Sequence, residues 1–306
     1  MNEIRKSKVW GMLVLMRPAN LITAIADILA GFAVGGLVSS TGDIWQIVGS
    51  HQQGLLLLCL STIGLYGGGV VFNDVFDFEL DKVERPERPL PSGKVSKLEA
   101  ILLGLALLLL GIIAAFVVGW ISGVLAICIA ILALLYDGKS KHHVFWGPVN
   151  MAACRGGNLL LGVSIFVASL GEAAYLVIFP LIYIGSITLI SQGEVQGGNK
   201  RHLLLAILGY SLVFSLIALL GGMYPVKLIY SLPFLALFAA LVLPPLLKAY
   251  RTTEAMDIRK AVKAGVICLI VLNASLASGF AGLGYGLLIL TLLPVSIGLG
   301  KLFSVT

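Results

Sequence analysis

Apolar residues fill this chain in ten long runs, and that pattern leaves few folds open. A helix crossing the hydrocarbon core of a bilayer needs roughly 20 apolar residues. Runs of that kind occupy 14–38, 54–76, 97–118, 120–136, 146–169, 173–192, 202–222, 227–248, 261–280 and 283–303. The last two are separated by little more than Gly279–Gly282, so the count is nine or ten. Only 12% of the 306 residues are charged, against about a quarter in soluble domains, and the mean hydropathy is +1.02. The deficit extends along the whole chain, which excludes a soluble domain with one anchor. The pattern predicts an all-α polytopic membrane protein. Its 36 glycines suit helices that pack with little side chain between them.

Orientation follows from the basic residues. Met1–Trp10 is polar and basic, and the apolar run after it lacks the short core and cleavage site of a secretory signal, so Arg5, Lys6 and Lys8 read as a cytoplasmic flank. The loops after the second, fourth, sixth and eighth spans then fall on the same side. They carry Lys82, Arg85, Arg88, Lys94 and Lys97, then Lys139 and Lys141, then Lys200 and Arg201, then Lys248, Arg251, Arg259, Lys260 and Lys263. The opposite loops hold none, with Lys227 merely bordering one, and that asymmetry predicts a cytoplasmic N-terminus and cytoplasmic polar loops. A net charge of +6 in such a chain points to anionic lipid and anionic substrates rather than nucleic acid. Cys59, Cys128, Cys154 and Cys268 sit singly in apolar runs, as packed thiols do, without metal or disulfide spacing.

The second span ends Asn73-Asp74-Val75-Phe76-Asp77-Phe78-Glu79-Leu80-Asp81. On a helix Asn73, Asp77 and Asp81 fall within an arc of about 80°, one turn apart, with Asp74 on its edge. Carboxylates stacked at the negative end of a helix dipole repel one another. The cluster makes sense if divalent cations neutralise it, and oxygen-only ligands with room for water and phosphate suit Mg2+. Arg85-Pro86-Glu87-Arg88-Pro89-Leu90-Pro91 follows at once. The prolines stop the helix, and the arginine forks match phosphate oxygens. Acids beside arginines at the mouth of an apolar cavity describe a site for a diphosphate with a hydrophobic tail.

The run NDVFDFELDKVERPERPLPSG resembles the NDxxDxxxD…RPxRPL signature of the UbiA superfamily of intramembrane prenyltransferases. The resemblance implies one UbiA-like domain over 1–306, a bundle of nine or ten helices around a lipid-facing cavity. It implies a polyprenyl diphosphate substrate bound through Mg2+ and ionised to an allylic cation that an acceptor attacks. Asn73, Asp77 and Asp81 would be metal ligands, with Asp74 in support. Arg17 and Asn20 fall where the family has a phosphate-proximal arginine and a polar helix start. Tyr136-Asp137-Gly138-Lys139-Ser140-Lys141 resembles the second cytoplasmic signature, with Lys139 and Lys141 on the diphosphate and Tyr136 near the carbocation. The His142–His143 pair cannot share a helical face and reads as solvated loop.

The chain departs from the family at the end of the sixth span. A second aspartate motif is usual there, and this chain has Ser191-Gln192-Gly193-Glu194-Val195-Gln196-Gly197-Gly198-Asn199, with one acid, Glu194. That segment, with RPANxxTAxADxLAG and YGGGVVFNDVFD, is most similar to the EboC subgroup, named as UbiA-like without a settled reaction. The missing aspartate leaves the number of metal ions open. Asp27 and Arg155 lie in the interior of spans, away from their ends. Such residues default to functional sites and need partners. Asp27 reads equally as functional or as a structural pair with Arg155. The partner of Arg155 is either Asp27 or the diphosphate.

These readings combine into a membrane prenyltransferase, a transferase of alkyl groups other than methyl. Asn73, Asp77, Asp81 and Glu194 would bind Mg2+, while Arg88, Lys139 and Lys141 would stabilise the departing diphosphate. Phe72 and Tyr136 would shield the cation from water, and the acceptor is open. The alternative is a non-catalytic transporter or binding protein for a lipid or metabolite that retains the diphosphate pocket. Transporters place discontinuous helices at the bilayer midplane, whereas these acids sit at the edge.

Overall fold

The computed structural model describes residues 7–39, 42–141, 143–194, 197–223 and 227–303. Arg5, Lys6, His142 and Gln196 lie outside them. A short helix, α1 (Lys8–Leu15), precedes the bundle, followed by α2 (Pro18–Ser39), α3 (Ile44–Phe76), α4 (Phe78–Glu84), α5 (Lys97–Val118) and α6 (Trp120–Leu135). After a π turn (Tyr136–Ser140) come α7 (Trp146–Val163), α8 (Ile178–Ser191), α9 (Lys200–Met223), α10 (Leu228–Thr252) and α11 (Ala255–Ala281). The last span is two pieces, α12 (Leu283–Leu290) and α13 (Leu292–Leu302).

Among the described residues nine helical spans are long and apolar enough to cross a membrane. The tenth, α7, has 18 residues and carries Asn150, Arg155 and Asn158, which lower its apolar character. The expected ambiguity between nine and ten therefore falls on α7, not on the final pair. Gly282 separates that pair cleanly, its φ of 84° being a conformation that glycine adopts without steric cost. Helices also outrun the apolar segments. α3 starts at Ile44, ten residues ahead of the run that predicts it, and kinks at His51 (φ −117°, ψ 16°).

Each span packs on the next in chain order, and α11 returns to pack against α2. α2 and α11 are the most buried spans, and Leu, Ile and Val are exposed along α5, α6 and α9, as suits faces turned to lipid. α2 and α7 cross at backbone distance: a Cβ on Gly31 would collide with the Leu159 carbonyl, and one on Gly162 with that of Ile28. Dispersion and close backbone approach, rather than a hydrophobic driving force, hold helices together inside a bilayer. At one end α1 is tied to the start of α5. Ser96 and Glu99 form a reciprocal capping box, and Lys8 reaches the Glu99 carboxylate at 2.7 Å. A small apolar cluster (Leu15, Val71, Val75, Leu90, Val95, Ala100) seats the 85–96 loop against that end.

Candidate functional site

A cavity of about 400 Å³ opens at that same end, between α3, α4, α6 and α7. Its rim carries Asn73, Asp77, Asp81, Asp137, Lys141 and Glu194. The rim stack survives a break in the helix. α3 stops at Phe76, and Asp77 (φ −80°, ψ 1°) joins it to α4. The bonds Asp77 N to Asn73 O (3.0 Å), Asp81 N to Asp77 O (2.8 Å) and Arg85 N to Asp81 O (2.9 Å) keep the four-residue register, so the three side chains share one wall. From Asn73 the lining runs inward past Val70, Tyr66 and Leu65 to Thr62. The 11 residue steps from Asn73 to Thr62 on α3 give a shaft about 16 Å long at helical rise.

The acids are not left to repel one another. Arg88 Nη1 donates to Asp81 Oδ2 at 2.7 Å and to Asp74 Oδ1 at 3.3 Å. Lys141 pairs with Asp77 Oδ2, and Asn73 Nδ2 donates to Asp137 Oδ1 at 2.8 Å. The sequence predicts that divalent cations neutralise the cluster; the structure adds basic side chains that pair with its acids. The compensating bases arrive from the 85–96 loop and the π turn, which local spacing on α3 cannot reveal. Among the described residues no three His, Cys, Asp or Glu side chains converge to hold a metal unaided. The donor set still fits Mg2+, which is usually bound through one or two carboxylates plus phosphate and water rather than by an all-protein cage. Neither the Arg88 nor the Lys141 pairing uses the Oδ1 atoms of Asp81 and Asp77.

The expected residues separate into three sets. Asn73, Asp77, Asp81, Tyr136, Arg17, Arg88, Lys141, Arg155 and Glu194 all line the cavity. Asp74 is turned roughly one helical step away and lines a neighbouring cavity, as does Asn20. Lys139 is exposed and Phe72 packs against α5 at Gly104, so neither lines the cavity. The π turn accounts for Lys139: a wider turn shifts the side-chain register by a residue, aiming Asp137 and Lys141 inward instead. Asp137 and Tyr66 are cavity residues outside the expected set. An acid at the C-terminal end of α6 is as costly against the helix dipole as Asp77 is on α3, and that signal points to Asp137.

Two supporting arrangements are local. Arg17 sits at φ 48° immediately before Pro18, an unfavourable conformation for a residue with a Cβ. Its guanidinium donates to Asp74 at 2.6 Å and contacts Asn73 at 3.4 Å, which holds the turn. Opposite the aspartates, Arg259 Nε donates to the Glu194 carbonyl at 2.8 Å. Burial pushes the Glu194 carboxyl above its ordinary range, opposed by Arg85 and Arg259. His143 is exposed, as its loop position suggests, and its ring accepts the backbone N–H groups of Phe145 and Trp146 at the start of α7.

At the inner end Arg155 meets Asp27, Nε to Oδ2 at 3.2 Å, so the pair expected within the spans is made. Asn158 and Asn273 donate to the two Asp27 oxygens at 3.0 and 2.7 Å, and Arg155 Nη2 donates to Thr23 at 3.0 Å. Thr62 donates to the Asn158 carbonyl oxygen at 2.6 Å, closing the floor of the shaft.

The bundle and this site define a helical membrane protein with a charged pocket over an apolar shaft. The chain belongs to the UbiA prenyltransferase family, which it matches over residues 28–196, a stretch that holds every acid of the rim. It is similar to the digeranylgeranylglyceryl phosphate synthase of Methanococcoides burtonii, 30% identical over 152 residues, covering 50% of this chain and 53% of that protein. It is also similar to that of Ignicoccus hospitalis, 31% identical over 191 residues, covering 62% and 59%. The chain thus spans a little over half the length of these relatives. Its fold is similar to that of a UbiA homolog from Archaeoglobus fulgidus bound to DMAPP and Mg2+, with a TM-score of 0.60 at 17% identity over 83% of this chain and 98% of that one.

Proposed function

We propose that the protein transfers a prenyl group from its diphosphate to an acceptor, with Mg2+ as cofactor. One observation carries this reading: an acid-and-base rim that suits a metal-bound diphosphate caps an apolar shaft that suits its tail. Two further supports are the family and the Archaeoglobus relative with DMAPP and Mg2+ bound. Asn73, Asp77 and Asp81 offer oxygen ligands from one wall, and Glu194 and Asp137 face them. Bound Mg2+ would act as a Lewis acid toward the diphosphate oxygens.

The chain's own residues supply the rest. Arg88 and Lys141 are paired with Asp81 and Asp77; where those aspartates held Mg2+, the two bases would be free to pair with the diphosphate, so that no buried charge would be left unpaired. Those cations stabilise the negative charge of the leaving diphosphate. The prenyl C1–O bond breaks with its electron pair on the diphosphate; the acceptor's nucleophile bonds to C1 and gives up its proton to the released diphosphate. Tyr66 and Tyr136 line the shaft below the rim, where aromatic faces attract the allylic cation and exclude water. Arg155, locked on Asp27, shapes the floor rather than holding the diphosphate.

A titration of the full chain with a geranyl thiodiphosphate, with Mg2+ and with chelator, tests the reading. Binding is expected only with Mg2+, and Asp77→Ala is expected to lose it. Equal affinity in chelator, or normal binding by Asp77→Ala, overturns the reading. We also propose that the rim faces the cytoplasm, as the basic loops around it suggest. Single cysteines at Lys94 and Ser50 are expected to label from opposite sides of the membrane, Lys94→Cys from the cytoplasm; labelling from one side for both overturns this topology.

A further inference from the structure

Below the rim the shaft has three walls, α3, α6 and α7, and a foot where two of them join. A Cβ on Gly69 of α3 would stand 3.3 Å from that of Ala133 on α6, and one on Gly157 of α7 would stand 3.0 Å from Cγ1 of Ile129 on α6. α3 and α7 meet at the foot, where Thr62 donates to Asn158. Behind that bond lies a second layer. Asn158 donates to the Ala24 carbonyl at 2.9 Å and to Asp27, which Asn273 of α11 holds by its other oxygen. The next space beyond, lined by Asp27, Leu159, Phe179 and Asn273 among others, measures about 10 Å³, the limit for a single water. The foot is also polar. Arg155 is 5% exposed, its guanidinium carbon lies 5.5 Å from the Tyr66 ring centroid, and its Nη1 has no hydrogen-bond partner among the described residues. A hydrocarbon end pressed onto that donor would seal it from any partner, which is costly for a charged group.

An isoprene unit adds four carbon–carbon bonds, about 5 Å of extended chain at bond lengths of about 1.5 Å. Three units match the roughly 16 Å between the levels of Asn73 and Thr62, and a fourth would have to pass the foot. Resting on the prenyl-transfer reading, we propose that the foot measures the donor: the site takes a diphosphate whose tail has three isoprene units, seats two less tightly, and stops a fourth. Ile129 tunes that limit. It is 7% exposed, lines the cavity, and stands at the level of the foot, against Gly157 beside Asn158. It takes no part in the side-chain hydrogen bonds of the foot, so its size can change while the bonds of Thr62, Asn158, Asp27 and Asn273 stay.

The test measures Mg2+-dependent binding of geranyl, farnesyl and geranylgeranyl thiodiphosphate to the full chain in one detergent. Farnesyl is expected to bind most tightly and geranylgeranyl roughly tenfold more weakly, the cost of crowding a tail against a packed wall. Ile129→Ala opens the foot and is expected to bring geranylgeranyl level with farnesyl. Ile129→Phe fills it and is expected to weaken farnesyl roughly tenfold relative to geranyl. Ile131→Phe, at a residue of α6 that is 51% exposed, is expected to keep the wild-type order of the three tails. Comparing tails within each variant removes any loss of folded protein from the readout. Geranylgeranyl binding as tightly as farnesyl in the wild type, or an order of tails indifferent to both Ile129 variants, overturns the proposal and leaves prenyl transfer standing. Absence of Mg2+-dependent binding for all three tails would overturn the prenyl-transfer reading, and the measuring foot with it.

Discussion

Two clusters in this bundle are built from the same residue types and behave differently. Within the spans, Asp27 and Arg155 are each 5% exposed, and amides from α7 and α11 hold both carboxylate oxygens. At the rim, Asp77 is 13% exposed and its partner Lys141 23%, and each aspartate pairs through one oxygen with a base from a loop. The inner cluster binds four helices, α2, α3, α7 and α11, into one floor. The rim cluster is open on the cavity side and its bases are interchangeable in charge with a metal ion. A carboxylate held at both oxygens and enclosed makes an ion pair a lock; a free oxygen and a loop-borne partner make it exchangeable.

The largest expected effect breaks the lock. Arg155→Leu strands the Asp27 carboxylate in a span, which costs about 3–5 kcal/mol, and thermal unfolding in detergent is expected to fall sharply. Pairing it with Asp27→Leu removes both charges and is expected to recover most of that loss. If Arg155→Leu instead kept its stability and lost only ligand binding, the inner cluster would belong with the rim.

Rim changes are expected to leave thermal unfolding nearly unchanged and to act on binding, in graded order. Lys141→Gln removes one charge-assisted contact and is expected to weaken geranyl thiodiphosphate by roughly tenfold. Glu194→Ala is expected to weaken it less, because a lone acid on the far wall offers fewer ligand atoms. Lys139→Gln is expected to change it by no more than about twofold, as an exposed charge outside the cavity does. A Lys139 effect as large as that of Lys141 would mean the π turn presents the other lysine to the ligand.

Much of the site was legible because four-residue spacing is robust. Asn73, Asp77 and Asp81 stay on one wall even though α3 ends between them, since the hydrogen bonds keep step across Asp77. The Asp27–Arg155 pair was legible from the cost of a lone charge in a span. What spacing could not carry was a change of step. The π turn moves Asp137 and Lys141 inward and Lys139 out, and no hydropathy pattern marks it. Phe72 was expected at the cavity, but Gly104 of α5 leaves a hollow that takes its ring. Asp74, one residue along from Asn73, faces the other chamber.

The order of residues alone determined that the chain spans a membrane, where its helices run, and which helix end gathers acids and bases. Those follow from transfer free energies and helical periodicity, which act along the chain. Only the tertiary structure decided which base neutralises which acid, and that Arg17, Arg88 and Glu194 stand between two chambers rather than around one. Partners separated by 57 residues, as Arg17 and Asp74 are, or 246, as Asp27 and Asn273 are, meet through the packing of whole helices. That packing is set by the summed fit of many glycine crossings and aliphatic faces, and no local stretch encodes it.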